Sequence, residues 1–235
     1  MGGSDQWRPQ ATLAQDRQVL AVDLPGFGRN AHLPPLNRIG AMADWVLDHL
    51  RGRDISRFDL LGHSMGGMVV QDMVHRAPEK IGNLILYATG SIGVLPGRFE
   101  TIEQSMQRAR EDGPLATARR ISATWFLRGS DADAFEDCAT IAEQSEIDAI
   151  LAGLDAMREW SGVDRLGEIA ARTLVIWGDR DRTYTWRQIE MLWQYIPDAS
   201  LAVIPGCAHA VHLEKPDIFN RVLADFLGGY PVRTK

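Results

Sequence analysis

The sequence Gly-His-Ser-Met-Gly at residues 62–66 places one serine, Ser64, between two glycines. It follows a short apolar run at residues 58–61 that predicts a buried strand, and it precedes a helical pattern that ends before Pro78. Such a turn forces its central residue into a strained backbone conformation, and glycines at 62 and 66 would avoid collisions. The Ser64 hydroxyl would then stand at the carboxyl end of a strand, available as a nucleophile.

The same serine has a second interpretation, in which its hydroxyl only caps the following helix. Nucleophilic attack also needs a base, and an acid that orients the base. Asp181 follows a predicted strand at residues 173–177, and His209 follows another at residues 200–204. Because loops at the carboxyl ends of parallel strands share one sheet edge, these two residues and Ser64 are predicted to converge. The N–H of Met65, at the helix start, is expected to bind the oxyanion.

Apolar patterns predict the elements that must hold these loops. Buried strands are predicted at residues 18–23, 58–61, 84–87, 173–177 and 200–204, and helices at residues 7–16, 39–50, 65–77 and 185–195 and from Pro216 onward. Because strands and helices alternate, the order is typical of a parallel sheet with right-handed crossovers. The predicted fold class is α/β, a mostly parallel sheet with helices on both faces.

Residues 91–165 interrupt this alternation with helical patterns alone, such as 99–110 and 147–160, separated by breakers at 113–114 and 129–130. We predict a core formed by residues 1–90 and 166–235, with 91–165 as a helical cap over the carboxyl edge of the sheet. Trp125, Phe126 and Trp160 are candidates to line an apolar pocket under the cap. Ordinary packing between helices is the alternative.

Composition limits the classes of partner. A net charge of −6 and a pI near 5.5 argue against a nucleic-acid-binding surface. Two cysteines are too few for a disulfide framework, so a reducing cytoplasm is the simplest setting. No apolar run is long enough to span a bilayer.

No metal-ligand cluster or phosphate-binding glycine loop is found, so no cofactor is expected. The possibility of a homodimer is left open.

Four motifs together resemble the α/β-hydrolase superfamily. They are Asp-Leu-Pro-Gly-Phe-Gly at 23–28, Gly-His-Ser-Met-Gly-Gly at 62–67, Gly-Asp-Arg-Asp at 178–181, and Gly-Cys-Ala-His-Ala-Val-His-Leu-Glu-Lys-Pro at 206–216. The similarity covers nearly the whole chain and is closest in style to small, helical-capped esterases, enol-lactonases and carbon–carbon bond hydrolases. It implies Ser64 as the nucleophile, His209 as the general base and then acid, and Asp181 as the acid that orients His209.

Three neighbouring residues compete for these roles. Asp179 rivals Asp181, but the family pattern places the acid at the later aspartate. His212 rivals His209, and is expected instead to brace the loop or the cap. His63, beside the nucleophile, is interpreted as structural or pocket-lining.

The N-terminus matches the family only in part. Residues 1–7 resemble the loop that supplies the second oxyanion-hole N–H, and Met1 occupies that position. In the family, a strand lies between the strands that end here at Asp23 and Leu61. We therefore expect a gap of about 10 Å between those two strands, and we interpret the sequence as beginning late in a longer working chain.

Three functional hypotheses follow. The first is a serine hydrolase of small carboxylic esters or lactones, acting through an acyl-enzyme intermediate. The second keeps the same residues and hydrolyses a carbon–carbon bond of a meta-cleavage product, or an enol-lactone such as that of 3-oxoadipate. The third is a catalytically incompetent chain.

Overall fold

The computed structural model describes residues 1–15, 17–97 and 100–228. Its centre is a four-stranded sheet in which every pairing is parallel. In spatial and chain order the strands are Phe58–His63 (β1), Ile81–Tyr87 (β2), Arg172–Gly178 (β3) and Ala199–Ile204 (β4). The α-helices are Ile39–Arg51 (α1), Met65–Arg76 (α2), Ile102–Thr124 (α3), Phe135–Ala142 (α4), Ile147–Arg158 (α5), Trp186–Tyr195 (α6), Val211–Glu214 (α7) and Pro216–Gly228 (α8). The predicted α/β class is confirmed.

Both faces of the sheet are covered, which explains why the central strands are apolar without alternation. On β2, Leu84 and Leu86 belong to the hydrophobic cluster that includes α1, α2 and α6. Ile85 and Tyr87 belong to a second cluster on the opposite face, with Phe219 of α8. Successive side chains of a strand therefore enter different cores.

The helices α3, α4 and α5 are inserted between β2 and β3, and we refer to them as the cap. α3 packs against both other cap helices. It is kinked at Gly113, whose φ of 77° is accessible mainly to glycine, and Pro114 follows. The breaker expected at residues 113–114 is confirmed. The helix predicted from residue 99 begins at Ile102, and residue 99 itself lies outside the described residues.

The strand predicted at residues 18–23 is wrong. Val19 and Leu20 are 45% and 41% exposed, and no described strand pairs with this segment. An apolar run forms a strand only where a neighbour completes its backbone hydrogen bonds. The segment is instead anchored at its end by the buried Asp23, whose carboxylate accepts hydrogen bonds from the Ser4 N–H at 2.6 Å and the Ser4 hydroxyl at 2.8 Å.

The predicted first helix is a 3₁₀ helix over Ser4–Gln15, and residue 16 lies outside the described residues. Its Trp7 and Leu13 pack against the cluster that contains α8. None of the helices in the described ranges combines the length and the apolar character needed to cross a bilayer.

Candidate active site

The turn between β1 and α2 holds Ser64 at φ 55° and ψ −121°, a strained conformation for a residue other than glycine. Ser64 occupies the N-cap position of α2, yet its side chain makes no capping hydrogen bond. The interpretation of this serine as a simple helix cap is therefore not supported. Ser64 instead lines the wall of a cavity.

Gly62 and Gly67 relieve the crowding at this turn. A Cβ atom on Gly62 would overlap the carbonyl oxygen of Gly66, and one on Gly67 would overlap the side chain of Thr89. A Cβ atom on Gly66 would meet no other heavy atom within 4 Å. The expectation that Gly66 prevents a collision is wrong. Gly66 lies in the first turn of α2, where a side chain would not meet the strand.

Asp181 and His209 form a hydrogen-bonded pair in the loops that follow β3 and β4. Asp181 Oδ2 lies 2.8 Å from His209 Nδ1. The other carboxylate oxygen accepts hydrogen bonds from the backbone N–H groups of Thr183, at 2.7 Å, and Tyr184, at 3.2 Å. Both side chains of the pair are almost fully buried. The Asp181 carboxylate is thus fixed in orientation, and His209 Nε2 is the ring nitrogen left for chemistry.

The rival aspartate has a different partner. Asp179 Oδ1 accepts a hydrogen bond of 2.6 Å from the backbone N–H of Gly206. This contact ties the loop after β3 to the loop after β4. The carboxylate that meets His209 is that of Asp181.

Ser64 and His209 line one cavity of about 110 Å³ between the sheet edge and the cap. Met1 and Met65 also line it, and Met65 is the first residue of α2, so its N–H has no partner within the helix. Within the described part of the chain, no hydrogen bond joins the Ser64 hydroxyl to His209. Such bonds are often long in enzymes without bound substrate. The other lining residues are Phe27, Ser105, Thr117, Arg120, Ile121, Thr124, Trp125, Ile150, Gly153, Leu154, Met157, Thr183 and Tyr184.

Two side chains contact the backbone carbonyl oxygen of His209. Its carbonyl oxygen accepts a hydrogen bond of 2.9 Å from the Tyr87 hydroxyl and lies 3.1 Å from His63 Nε2, which must carry hydrogen to donate. Burial, together with the neighbouring His209 and His212, holds the pKa of His63 well below its ordinary value. A neutral His63 places no positive charge beside the ring of His209.

His212 lies in the same buried layer, where it stacks on Trp7 with ring centres 4.6 Å apart. Its Nδ1 is 3.0 Å from the Tyr87 hydroxyl. Burial lowers the pKa of His212 to about 3. The structure therefore places His63 and His212 behind the loop that carries His209, and neither is on the cavity wall.

The three aromatic candidates from the cap region have different environments in the structure. Trp125 lines the cavity, with its ring 5.7 Å from that of His209. Phe126 does not, because it is fully buried against Phe135 in the core of the cap. Trp160 is also not among the residues that line the cavity. Its backbone carbonyl oxygen accepts a hydrogen bond from the N–H of Gly93. Core packing was the correct interpretation for Phe126.

Sequence reasoning did not identify Tyr184 or Arg120. Tyr184 stacks on His209 with an interplanar angle of 12° and lines the cavity, and its position three residues after Asp181 was an available signal. Arg120 lies on the cap side of the cavity. A single arginine in an amphipathic helix is usually solvent-exposed, so the residues around Arg120 contain no comparable sign of a place in the cavity.

Other reactive groups are few in the described structure. Burial raises the pKa of Cys138 to about 12 and that of Cys207 to about 11, so neither thiol is a ready nucleophile. In residues 1–15, 17–97 and 100–228, no group of three or more histidine, cysteine, aspartate or glutamate side chains is arranged to hold a metal ion. The site offers a hydroxyl, an imidazole and a carboxylate.

The sequence model of the alpha/beta hydrolase family matches residues 2–222. This chain belongs to that family. Among curated relatives, a putative carbamate hydrolase RutD from Rhizobium rhizogenes is 31% identical, over 97% of this chain and 89% of the relative. A 2-hydroxy-6-oxo-6-phenylhexa-2,4-dienoate hydrolase from Burkholderia cepacia is 27% identical, over 92% of this chain and 78% of the relative. The names of these relatives and the family both support hydrolase activity.

Solved structures share the fold of this alpha/beta hydrolase. An esterase from Thermogutta terrifontis superposes with a TM-score of 0.87 at 23% identity, covering 97% of this chain and 86% of that one. The enol-lactonase from Burkholderia xenovorans LB400 gives 0.86 at 22% identity, covering 97% and 88%. At these identities the likeness describes the fold alone.

Proposed function

We propose that this chain is a serine hydrolase of small carboxylic esters or lactones. The observation that carries the proposal is the turn at Ser64, because a serine at φ 55° is strained, and its hydroxyl does not cap the helix that follows. The shared cavity with His209, and the pairing of His209 with Asp181, support a nucleophilic role for Ser64.

In the proposed reaction, the Ser64 hydroxyl oxygen attacks the carbonyl carbon while His209 Nε2 takes its proton. The Met65 N–H, with the N–H at the Met1 position, stabilises the tetrahedral oxyanion. The alcohol leaves with the proton from His209, and an acyl group remains on Ser64. Water, deprotonated by His209, then releases the acid and restores the serine. Asp181 stabilises the imidazolium in both halves.

A second candidate reaction is hydrolysis of a carbon–carbon bond in a vinylogous diketone, or opening of an enol-lactone. It is favoured by the name of the Burkholderia cepacia relative. The RutD name adds a carbamate to the substrates to be tested. Each of these substrates presents a carbonyl carbon to the same proposed nucleophile.

We further propose that residues 91–165 act as a substrate-covering cap on a core of residues 1–90 and 166–235. The packing of α3 on α4 and α5 supports a cap that is built as one unit. Cytoplasmic function is proposed on the basis of two buried, unpaired cysteines.

The test compares turnover of short-chain 4-nitrophenyl esters by the wild-type chain, Ser64→Ala and Ser130→Ala. Ser130 is an exposed serine between α3 and α4 and serves as the matched control. Ser64→Ala should lose at least about a thousandfold in kcat, whereas Ser130→Ala should keep wild-type rates. Equal rates in Ser64→Ala and the wild type would exclude the mechanism.

A fluorophosphonate probe tests the nucleophile independently of ester preference. Mass spectrometry should find the label on the peptide that contains Ser64. A folded but unlabelled protein would support the hypothesis of an incompetent chain.

A further inference from the structure

We propose that Gly153 of the cap determines which substrates the cavity accepts, because it leaves room beside Met65 for a short, uncharged acyl chain. This inference rests on the proposed ester or lactone hydrolysis and names the class of acyl group. Gly153 is a buried residue in the middle of α5, and it lines the same cavity as Ser64 and His209.

The helix α5 contributes one regular stripe of residues to the cavity wall. The α5 residues among the described cavity lining are Ile150, Gly153, Leu154 and Met157, which have the spacing of one helix face. Three of them carry large apolar side chains, and Gly153 carries none. The apolar wall therefore has a gap between Ile150 and Met157.

Neither the backbone nor the packing of α5 requires a glycine at position 153. Gly153 does not adopt the positive φ that favours glycine. A Cβ atom placed there would lie 3.5 Å from Met65 Sδ and 3.7 Å from Phe27 Cζ, which are ordinary van der Waals distances. Gly62 and Gly67, by contrast, have no room for a side chain. Because glycine in a helix interior is less stable than alanine, the open space is the feature that this glycine provides.

The gap lies on the side of the cavity that suits the acyl chain. In the proposed reaction the leaving oxygen must face His209, which returns the proton to it. Trp125 and Tyr184 line the cavity beside His209, with their rings 5.7 Å from its imidazole. The atom nearest to the gap at Gly153 is instead Sδ of Met65. A substrate with its carbonyl oxygen on the Met65 N–H and its leaving oxygen toward His209 has its acyl chain on the side of the gap.

Charged side chains are scarce on the cavity wall. Among the described lining residues, Arg120 is the only lysine or arginine, and none is an aspartate or glutamate. Arg120 already donates a hydrogen bond of 2.7 Å to Glu100. An ionised acyl chain would therefore lose hydration without gaining a free charged partner, whereas an aliphatic chain gains from burial. The volume of about 110 Å³ is well below the roughly 300–1,000 Å³ of pockets for drug-sized ligands, so the chain must be short.

The experiment measures kcat/KM for 4-nitrophenyl acetate and 4-nitrophenyl butanoate in the wild type, Gly153→Ala and Gly153→Val. The wild type should prefer the butanoate, because its two additional methylene groups bury apolar surface. Gly153→Ala should lower the butanoate-to-acetate ratio by about tenfold or more, because space for one methylene group is worth about ten to two hundredfold in an apolar pocket. Gly153→Val should lower the ratio further.

A stability measurement separates lost space from lost folding. Gly153→Ala should unfold about 2–4 °C above the wild type, because alanine favours a helix and causes no overlap there. The matched control is Gly52→Ala, at an exposed position at the end of α1 with φ −64°, where a Cβ atom meets no neighbour closer than 3.5 Å. The control should keep the wild-type ratio. A Gly153→Ala protein less stable than the wild type would show that packing requires the glycine, and would overturn the inference.

A second pair of esters tests the absence of charge. Mono-4-nitrophenyl glutarate and 4-nitrophenyl pentanoate have acyl chains of similar length, and the glutarate ends in a carboxylate. After subtraction of the uncatalysed rate, the wild-type kcat/KM should be about tenfold or more higher for the pentanoate. An equal or higher value for the glutarate would contradict the proposed class of acyl group. An unchanged butanoate-to-acetate ratio in both Gly153 variants would also contradict it and would leave the hydrolase proposal standing.

Binding of butanamide, which carries the same acyl chain on an unreactive amide, tests the inference without turnover. Its dissociation constant, measured by NMR titration, should be about tenfold or more higher for Gly153→Val than for the wild type and Gly52→Ala. This result would support the gap at Gly153 even if no ester is hydrolysed. Equal binding by all three proteins, or no binding to the wild type, would overturn it.

Discussion

Asp181 Oδ2 lies 2.8 Å from His209 Nδ1, and both side chains are shielded from solvent. An ionised carboxylate at this position keeps hydrogen on Nδ1 and leaves Nε2 free to accept a proton. Because two backbone N–H groups hold the other carboxylate oxygen, this arrangement exists before substrate binds.

Asp181→Asn should lower kcat by about a thousand to ten thousandfold, because an amide cannot hold the imidazole in the same tautomer. The measurement is steady-state hydrolysis of a 4-nitrophenyl ester. Asp179→Asn is the matched control, since its carboxylate contacts the backbone of Gly206, and it should stay within a few-fold of wild type. A larger loss in Asp179→Asn than in Asp181→Asn would reassign the acid.

Gly62→Ala should be destabilising by about 1–3 kcal/mol and should abolish ester turnover, because its methyl group would overlap the Gly66 carbonyl oxygen. Gly66→Ala should be neutral or stabilising by up to about 1 kcal/mol, since alanine favours a helix and meets no neighbour there. Chemical denaturation of the two variants provides the comparison. Similar losses in both would contradict the described turn.

Asp23→Asn should cost about 1–3 kcal/mol of stability and reduce turnover, because the amide cannot accept all the hydrogen bonds that Ser4 and Arg29 now donate. These bonds anchor the loop that leads to Met1 on the cavity wall. Asp5→Asn is the control, because its partly exposed ion pairs with Arg8 and Arg29 contribute at most about 1 kcal/mol. If the two variants unfold at the same temperature, Asp23 does not anchor the loop.

The stability of the protein should fall in mild acid through His212. Its pKa is about 3 in the folded state and near 6.5 when unfolded, so between these values only the unfolded chain binds the proton. The free energy of unfolding should therefore be highest above pH 6.5 and fall by about 1.4 kcal/mol per pH unit below it for this histidine alone. His63, whose pKa is lowered in the same direction, adds to the slope.

Denaturation series from pH 7 to pH 4.5 test this dependence. His212→Gln should have a shallower slope than wild type, whereas the control His32→Gln, at an exposed position, should not. Identical slopes in all three proteins would show that His212 does not stay neutral in the folded state.

The local sequence predicted the parallel core and the meeting of Asp181 with His209, because apolar runs and strand ends determine where such loops gather. It failed at residues 18–23, because a strand also needs a neighbour that completes its backbone hydrogen bonds, and no described strand pairs with this segment. Phe126 and Trp125 are adjacent, apolar and buried in one cluster, and only the tertiary packing determines that Trp125 also lines the cavity. Arg120 was missed for a similar reason, because burial of a charged side chain depends on its distant partner Glu100.

The kink at Gly113 has a consequence for how this enzyme can diverge. The segment after it, residues 114–124, contributes four side chains to the cavity: Thr117, Arg120, Ile121 and Thr124. Substitutions along one short helical segment are therefore expected to change the shape of the cavity, while the turn and loops that carry Ser64, Asp181 and His209 stay unaltered. New specificities are thus accessible in small mutational steps, each with little risk to the folding of the core.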